Sequence, residues 1–343
     1  MTLNKATTAL VHTAVTTALL LAASVASAQT ASKTTAAAST NTAAASANAA
    51  RPRGVAAGLD LPPNTPIYAL TSDNAIYVLR PALGTYVRAG RVETEGGNLI
   101  GIDFRPADGK LYGLTDLGVL YTIDVSASRF GQVQRVSTMN PRFTGGFEML
   151  VDFNPVANAL RVAGSNDQNL AVVNGTDGSN LSTTVAQTKF AYAAGDVNAG
   201  KDPEMTGGSY TNNFVGATTT LFYAIDADTD SLITIADKTA TGSSNTGGGQ
   251  LQTIGQFVDE SGNRLNMSPT SDLDIYTDKA GKNYLVGQTT RLLFWIDLSQ
   301  INPNLKLGQT QKIVVKRGPP ASLPGAAAPL TGGVWDIALP IAQ

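Results

Sequence analysis

One hairpin pattern recurs five times along this chain, and the recurrence limits the available folds more than any other feature. The copies are Ile67 to Leu70 with Ala75 to Leu79, Leu111 to Leu114 with Val119 to Ile123, Leu160 to Ala163 with Asn169 to Val173, Leu221 to Ile225 with Ser231 to Ile235, and Tyr284 to Gly287 with Leu292 to Ile296. Short polar turns such as Ser72-Asp73-Asn74 and Asp116-Leu117-Gly118 join the two arms, as expected of β-hairpins. The copies begin at positions 67, 111, 160, 221 and 284, intervals of 44, 49, 61 and 63 residues. These spacings match or exceed one propeller blade per copy.

The fullest copy, Leu99 to Val136, reads as a four-stranded antiparallel meander. Its inner strand is Ile100 to Arg105, and corresponding strands are expected at Met149 to Asn154, about Met205 to Thr211, and Leu273 to Tyr276. The first hairpin has no inner strand before it. A Pro/Gly/Ala linker, Gly318 to Leu330, leads instead to Gly333-Val334-Trp335-Asp336-Ile337-Ala338-Leu339. If that segment is the missing strand, both ends of the chain share one blade and the ring has no free edge. The pattern therefore predicts an all-β, five-bladed β-propeller closed by a C-terminal strand joining the N-terminal blade; a β-sandwich is the alternative.

Residues 1–28 read as a secretory signal, with Lys5, an apolar run to Ala22, and Ala26-Ser27-Ala28 as the cleavage site. Six polar residues, Thr7, Thr8, His12, Thr13, Thr16 and Thr17, dilute the run below what a membrane anchor needs. Residues 29–58 are rich in Ala, Ser and Thr and read as a disordered tether, because such a stretch buries too little apolar surface to offset its ordering entropy. Residues 59–343 form the single propeller domain. Localisation is expected to be extracytoplasmic, periplasmic or extracellular, with no membrane span after cleavage and a monomeric state.

The chain has 343 residues, 43% hydrophobic and only 15% charged, a balance that suits a turn-rich β domain. It contains no cysteine, so an exported form must rest on core burial rather than disulfides. Signal removal takes the single histidine, His12, with it. Ser-His-Asp and Cys-His nucleophile systems and histidine or thiolate zinc sites are thereby excluded. No basic tract is present, which argues against nucleic acid as a partner. Thr241 to Gly249 is Ser/Gly-rich and reads as a flexible loop without a phosphate-binding Gly-Lys-Ser/Thr.

Several strings together resemble a bacterial family of secreted proteins known only as domain of unknown function 4394. They are Gly101-Ile102-Asp103-Phe104-Arg105-Pro106, Gly109-Lys110-Leu111-Tyr112, Val151-Asp152-Phe153-Asn154-Pro155 with Leu160-Arg161-Val162, and Tyr192-Ala193-Ala194-Gly195-Asp196-Val197-Asn198-Ala199-Gly200 followed by Tyr210-Thr211-Asn212. The resemblance covers about Ile67 to Leu339. It implies a propeller-like repeat fold and carries no activity.

Three groups of residues could carry function. Asp103, Asp152, Asp274 and Asp336 each sit between apolar neighbours in an inner strand, with Ser209 near that register in the fourth copy. A carboxylate there must be satisfied. It either accepts backbone N–H groups of the next blade or joins others around a hard cation such as calcium. Asp226-Ala227-Asp228-Thr229-Asp230-Ser231, with Asp237 at the twelfth place, imitates a calcium loop but lacks its glycine and also reads as a polar turn. The irregular stretch Tyr192 to Phe214 supplies candidate binding residues Asp196, Asn198, Lys201, Glu204, Tyr210 and Asn212. The reading is a non-catalytic binding or scaffolding module without an obligatory cofactor. Its partner would be a glycan, another small molecule or a cell-surface protein. A carboxylate-based or calcium-dependent hydrolase of glycosidase or lactonase type is the alternative.

Overall fold

The computed structural model describes residues 65–80, 85–146, 148–244, 247–289, 292–317 and 333–342. The signal, the tether and the linker after Arg317 lie outside these. Blade 1 holds β1 (Ile67–Thr71), β2 (Ala75–Arg80) and β3 (Thr85–Arg91); blade 2 holds β4 (Leu99–Phe104), β5 (Leu111–Thr115), β6 (Val119–Ile123) and β7 (Val133–Thr138). Blade 3 holds β8 (Met149–Asn154), β9 (Ala159–Gly164), β10 (Asn169–Val173) and β11 (Thr183–Ala186). Blade 4 is larger. To β13 (Met205–Tyr210), β14 (Phe222–Asp226), β15 (Ser231–Ile235) and β16 (Gln250–Val258) it adds β12 (Ala191–Tyr192) and β20 (Ile313–Val314), both parallel to β16. Blade 5 holds β17 (Asp272–Thr277), β18 (Asn283–Thr289), β19 (Leu292–Asp297) and β21 (Lys316–Arg317).

The last strand, β22 (Val334–Ala338), pairs antiparallel with β1, opposing Tyr68 to Ala338 and Leu70 to Asp336. It is the inner strand of blade 1, so the two ends of the chain close the ring in one sheet. Five core clusters lie one at each junction of consecutive blades. Leu70, Ile76, Leu99 and Ile102 join blades 1 and 2, and Leu114, Met149, Val151 and Phe153 join blades 2 and 3. Leu150, Tyr210 and Phe222 join blades 3 and 4, Ile225, Leu273 and Phe294 join 4 and 5, and Tyr276, Trp295 and Ile337 join 5 and 1. Since every blade face is covered by a neighbour, inner strands such as β4, β8 and β13 are buried at every residue. This explains their near-continuous apolar sequences.

Crowding at the axis selects glycine. A Cβ on Gly101 would stand 2.6 Å from Val151 Cγ2 of the next blade, closer than packed atoms tolerate.

Two local readings change. The stretch beginning at Thr241 is not free where it is described: Ser243 and Ser244 are buried, and their hydroxyls accept the Thr220 and Phe222 N–H groups, each at 3.0 Å. The inner strand of blade 5 begins one residue earlier than its apolar run and takes in Asp272.

Deleting residues 333–343 is expected to abolish cooperative unfolding, because blade 1 then exposes an inner edge and two core junctions lose a wall. Circular dichroism melts check this; a truncated protein that melts cooperatively would break the strand-sharing account.

Candidate functional site

At the axis, each inner strand sends at least one side chain to the backbone of the next blade. Asp336 of β22 accepts the Ile102 N–H of β4. Asp103 Oδ2 accepts Phe153 N–H of β8 at 2.7 Å, and Asp152 Oδ1 accepts Tyr210 N–H of β13 at 2.9 Å. Ser209 Oγ accepts Ile275 N–H of β17 at 3.2 Å while donating to Asp274 Oδ1 at 2.9 Å. Asp274 Oδ2 then accepts Leu339 N–H beyond β22 at 2.6 Å, completing the circuit. Asp272, which the sequence pattern passed over, accepts Ile337 N–H at 2.7 Å and lies within hydrogen-bonding reach of Asp336.

The carboxylates are buried, between 2 and 5% exposed, so desolvation opposes their charge. Oxygens of Asp103, Asp152 and Asp274 lie within 4.8 Å of one another, the single such trio among the described residues. Burial first and Asp274 second push the Asp103 carboxyl well up; burial, then Asp103 and Asp274, do the same to Asp152. Burial, then the Asp272 charge, raises Asp336. Burial moves Asp272 up to about 7 and Asp274 up to about 6, despite the N–H groups that favour their charged forms. A hard cation would meet suitable oxygen chemistry, yet both oxygens of Asp103 and of Asp274 already accept hydrogen bonds.

The other candidates are dispersed. Asp226 takes the Asp228 N–H at 2.9 Å and the Tyr192 hydroxyl, whereas Asp230 takes Arg264 Nε at 2.6 Å and Met267 N–H at 2.7 Å. Asp226 and Asp230 are therefore committed to different protein donors, an arrangement that serves a turn. Asp196 accepts Thr253 N–H at 2.8 Å and Asn198 Nδ2 donates to Thr253 Oγ1 at 3.0 Å, pinning their loop to β16. Asn198 and exposed Lys201 border a 520 Å³ cleft with Asp228, Arg264 and Lys312. Half-buried Glu204 precedes β13, its carboxyl raised by burial and then by Glu148 and Asp202. Tyr210 is buried in β13, where its hydroxyl accepts Arg161 Nε at 2.6 Å. Asn212 follows the opposite end of β13 and borders a separate 460 Å³ cleft with Thr219 and Asn283.

Two buried arginines were also passed over. Arg161 lies 5.4 to 5.8 Å from the Phe190, Tyr210 and Phe222 ring centres, a cation–π setting that ties blade 3 to blade 4. Arg105 reaches from blade 2 to Asn158 at 2.9 Å and Asn180 at 2.7 Å in blade 3. Their placement inside apolar strand text was the only hint.

A wide concavity lies on the face where the inner strands end, here the exit face. Its volume is about 1120 Å³, and its wall includes Tyr68, Phe104, Tyr276, Val215, Pro340 and Ile341 from blades 1, 2, 4 and 5. Tyr68 and Phe104 meet edge to face at 5.1 Å. Asp108, Asp278 and Lys279 are the charged residues of the rim.

Fold and site together define a five-bladed β-propeller with a buried carboxyl circuit at its axis and an open apolar bowl on one face. The chain belongs to a family described as domain of unknown function (DUF4394), whose model matches residues 92–311. No curated protein matches it. Among solved structures it is similar to an auxiliary nutrient binding protein from Bacteroides ovatus, with 11% identity over 64% of this chain and 55% of that one, TM-score 0.38. It is also similar to a luciferin-regenerating enzyme (13% identity, 82% and 91% covered, TM-score 0.38) and to the Dos1 propeller (10%, 70% and 60%, TM-score 0.35). The chain thus spans little more than half the length of the nutrient binding protein.

Two outcomes are expected from the axis. Asp152→Ala strands the Tyr210 N–H and should cost about 2 kcal/mol or more in urea unfolding; unchanged stability would contradict the circuit. Because the folded chain holds these protons to higher pH than the unfolded chain, it binds more protons between about pH 4 and pH 7, and stability falls as pH rises through that range. Melting temperature should therefore be higher at pH 5 than at pH 8, with the slope reduced in Asp274→Asn. A melting temperature that climbs toward pH 8 contradicts it.

Proposed function

We propose that this protein is an exported, non-catalytic binding module, a propeller whose ligand seat is the exit-face bowl and whose axial carboxylates hold the blades together. One observation carries the reading: the recurrent inner-strand acceptors are spent on neighbouring blades' N–H groups in a buried circuit. A glycosidase would need two opposed carboxylates open to substrate. The exit-face bowl is a solvent-facing space of ligand size lined mainly by apolar and aromatic side chains with a few polar groups, the usual makeup of a binding pocket. No helix among the described residues is long and apolar enough to cross a membrane. Residues 1–28 would direct export, and the Ala/Ser/Thr-rich arm would tether the domain.

The test offers the purified mature protein a panel of glycans, lactones and small organic molecules, scoring both binding and turnover, with and without calcium. Ala107→Glu, a charged arm placed at the exposed bowl rim, should remove whatever binding is found, whereas Asp152→Asn should leave it intact with no turnover in either protein. Turnover abolished by Asp152→Asn would establish the hydrolase instead.

A further inference from the structure

The geometry points to an amphipathic organic acid as the occupant of the exit-face bowl, its apolar body against Tyr68, Tyr276, Val215 and Ile341 and its anionic head at Lys279. This deepens the binding-module reading and rests on it.

The bowl's wall comes from turns that follow inner strands in several blades. Blade 2 gives Pro106 and Ala107, blade 4 gives Val215, and blade 1 gives Pro340 and Ile341. Val215 is 70% exposed and Phe214 beside it 37%. A soluble domain seldom presents such side chains together without a use for them. The wall contains no Asn, Gln, Arg or Trp, and its two carboxylates already accept hydrogen bonds from the protein, so a glycan's many hydroxyls would find few partners there.

The rim charges are not equivalent. Asp108 is engaged, one oxygen accepting the Tyr112 hydroxyl at 2.7 Å and the other Lys110 N–H at 3.1 Å. Asp278 Oδ1 accepts Ala280 N–H at 2.8 Å and Lys282 N–H at 2.9 Å within its turn. Lys279 is exposed and forms no ion pair among the described residues. The Tyr68 and Tyr276 hydroxyls likewise have no hydrogen-bond partner among the described residues. The bowl therefore offers apolar area, the Tyr68 phenol and one ammonium without an ion pair, beside two carboxylates that already accept protein hydrogen bonds. A carboxylate or sulfonate head complements those donors, and an acyl chain or ring system complements the wall.

The experiment titrates the mature protein with dodecanoate below its micelle concentration, with uncharged methyl dodecanoate, and with anilinonaphthalene sulfonate by fluorescence. The acid and the sulfonate should each bind saturably at one site, and the ester more weakly. Val215→Asp should weaken both anions by about tenfold or more, a change of about 1.4 kcal/mol. Lys279→Glu should remove the preference for acid over ester. Val185→Asp, an exposed site on β11 away from the bowl, should change neither. Equal binding of acid and ester, or affinity indifferent to Lys279→Glu, overturns the anionic-head assignment. If a neutral glycan binds instead and Val215→Asp removes it, the ligand class is wrong while the exit-face reading stands. If no probe responds to Val215→Asp, both fall. A concentration-dependent dimer in sedimentation, lost in Val215→Asp, would give the bowl to a second copy and overturn the proposal.

Discussion

The fold depends on a closed circuit of hydrogen bonds in which a side-chain oxygen of each inner strand accepts a backbone N–H from the next blade. Inner strands of a propeller converge at the axis, where their axis-facing edges have no strand to pair with. Their N–H groups would be buried without acceptors unless side chains supplied them. Asp103, Asp152, Asp274 and Asp336 do so, and Ser209 does the same in the fourth blade. A short acidic side chain suits the task because it presents two oxygens at the distance of one blade step.

That solution concentrates negative charge in a dry place. Burial raises the Asp272 and Asp274 carboxyls toward neutrality, and in the fourth blade the neutral Ser209 takes the place of a carboxylate. The same circuit that fixes blade angles thus couples the fold to pH. It also removes these carboxylates from solvent, whereas side chains on the turns need not serve the ring.

Much of this was legible before any coordinates. The recurring hairpins announced the blade number, because the inner and hairpin strands are largely buried and must be written mostly in apolar residues, unlike the exposed outer strands β7 and β11. The Asp at a fixed place in each inner strand stood out against that background. Asp272 did not, since it lies at the strand's first residue beside Ser271 and reads there as turn chemistry. Arg105 and Arg161 were hidden for a related reason: what makes them tolerable is aromatic and amide company from another blade. Tyr210 read both as part of an expected inner strand and as a binding candidate; β13 carries it into the core.

By itself the sequence determined the repeat, the order of the inner strand and hairpin in each blade, the C-terminal strand's partnership with the first hairpin, and the absence of cysteine. These follow from local pattern and composition, which are written along the chain. Tertiary structure alone decided which backbone each acidic side chain would hold, which protons would be retained, and where an open cavity would lie. Asp336 and Ile102 are 234 residues apart, and the bowl gathers turns from four blades. No local pattern encodes such meetings, because they exist only once every blade has been rotated against its neighbour and the ring has closed.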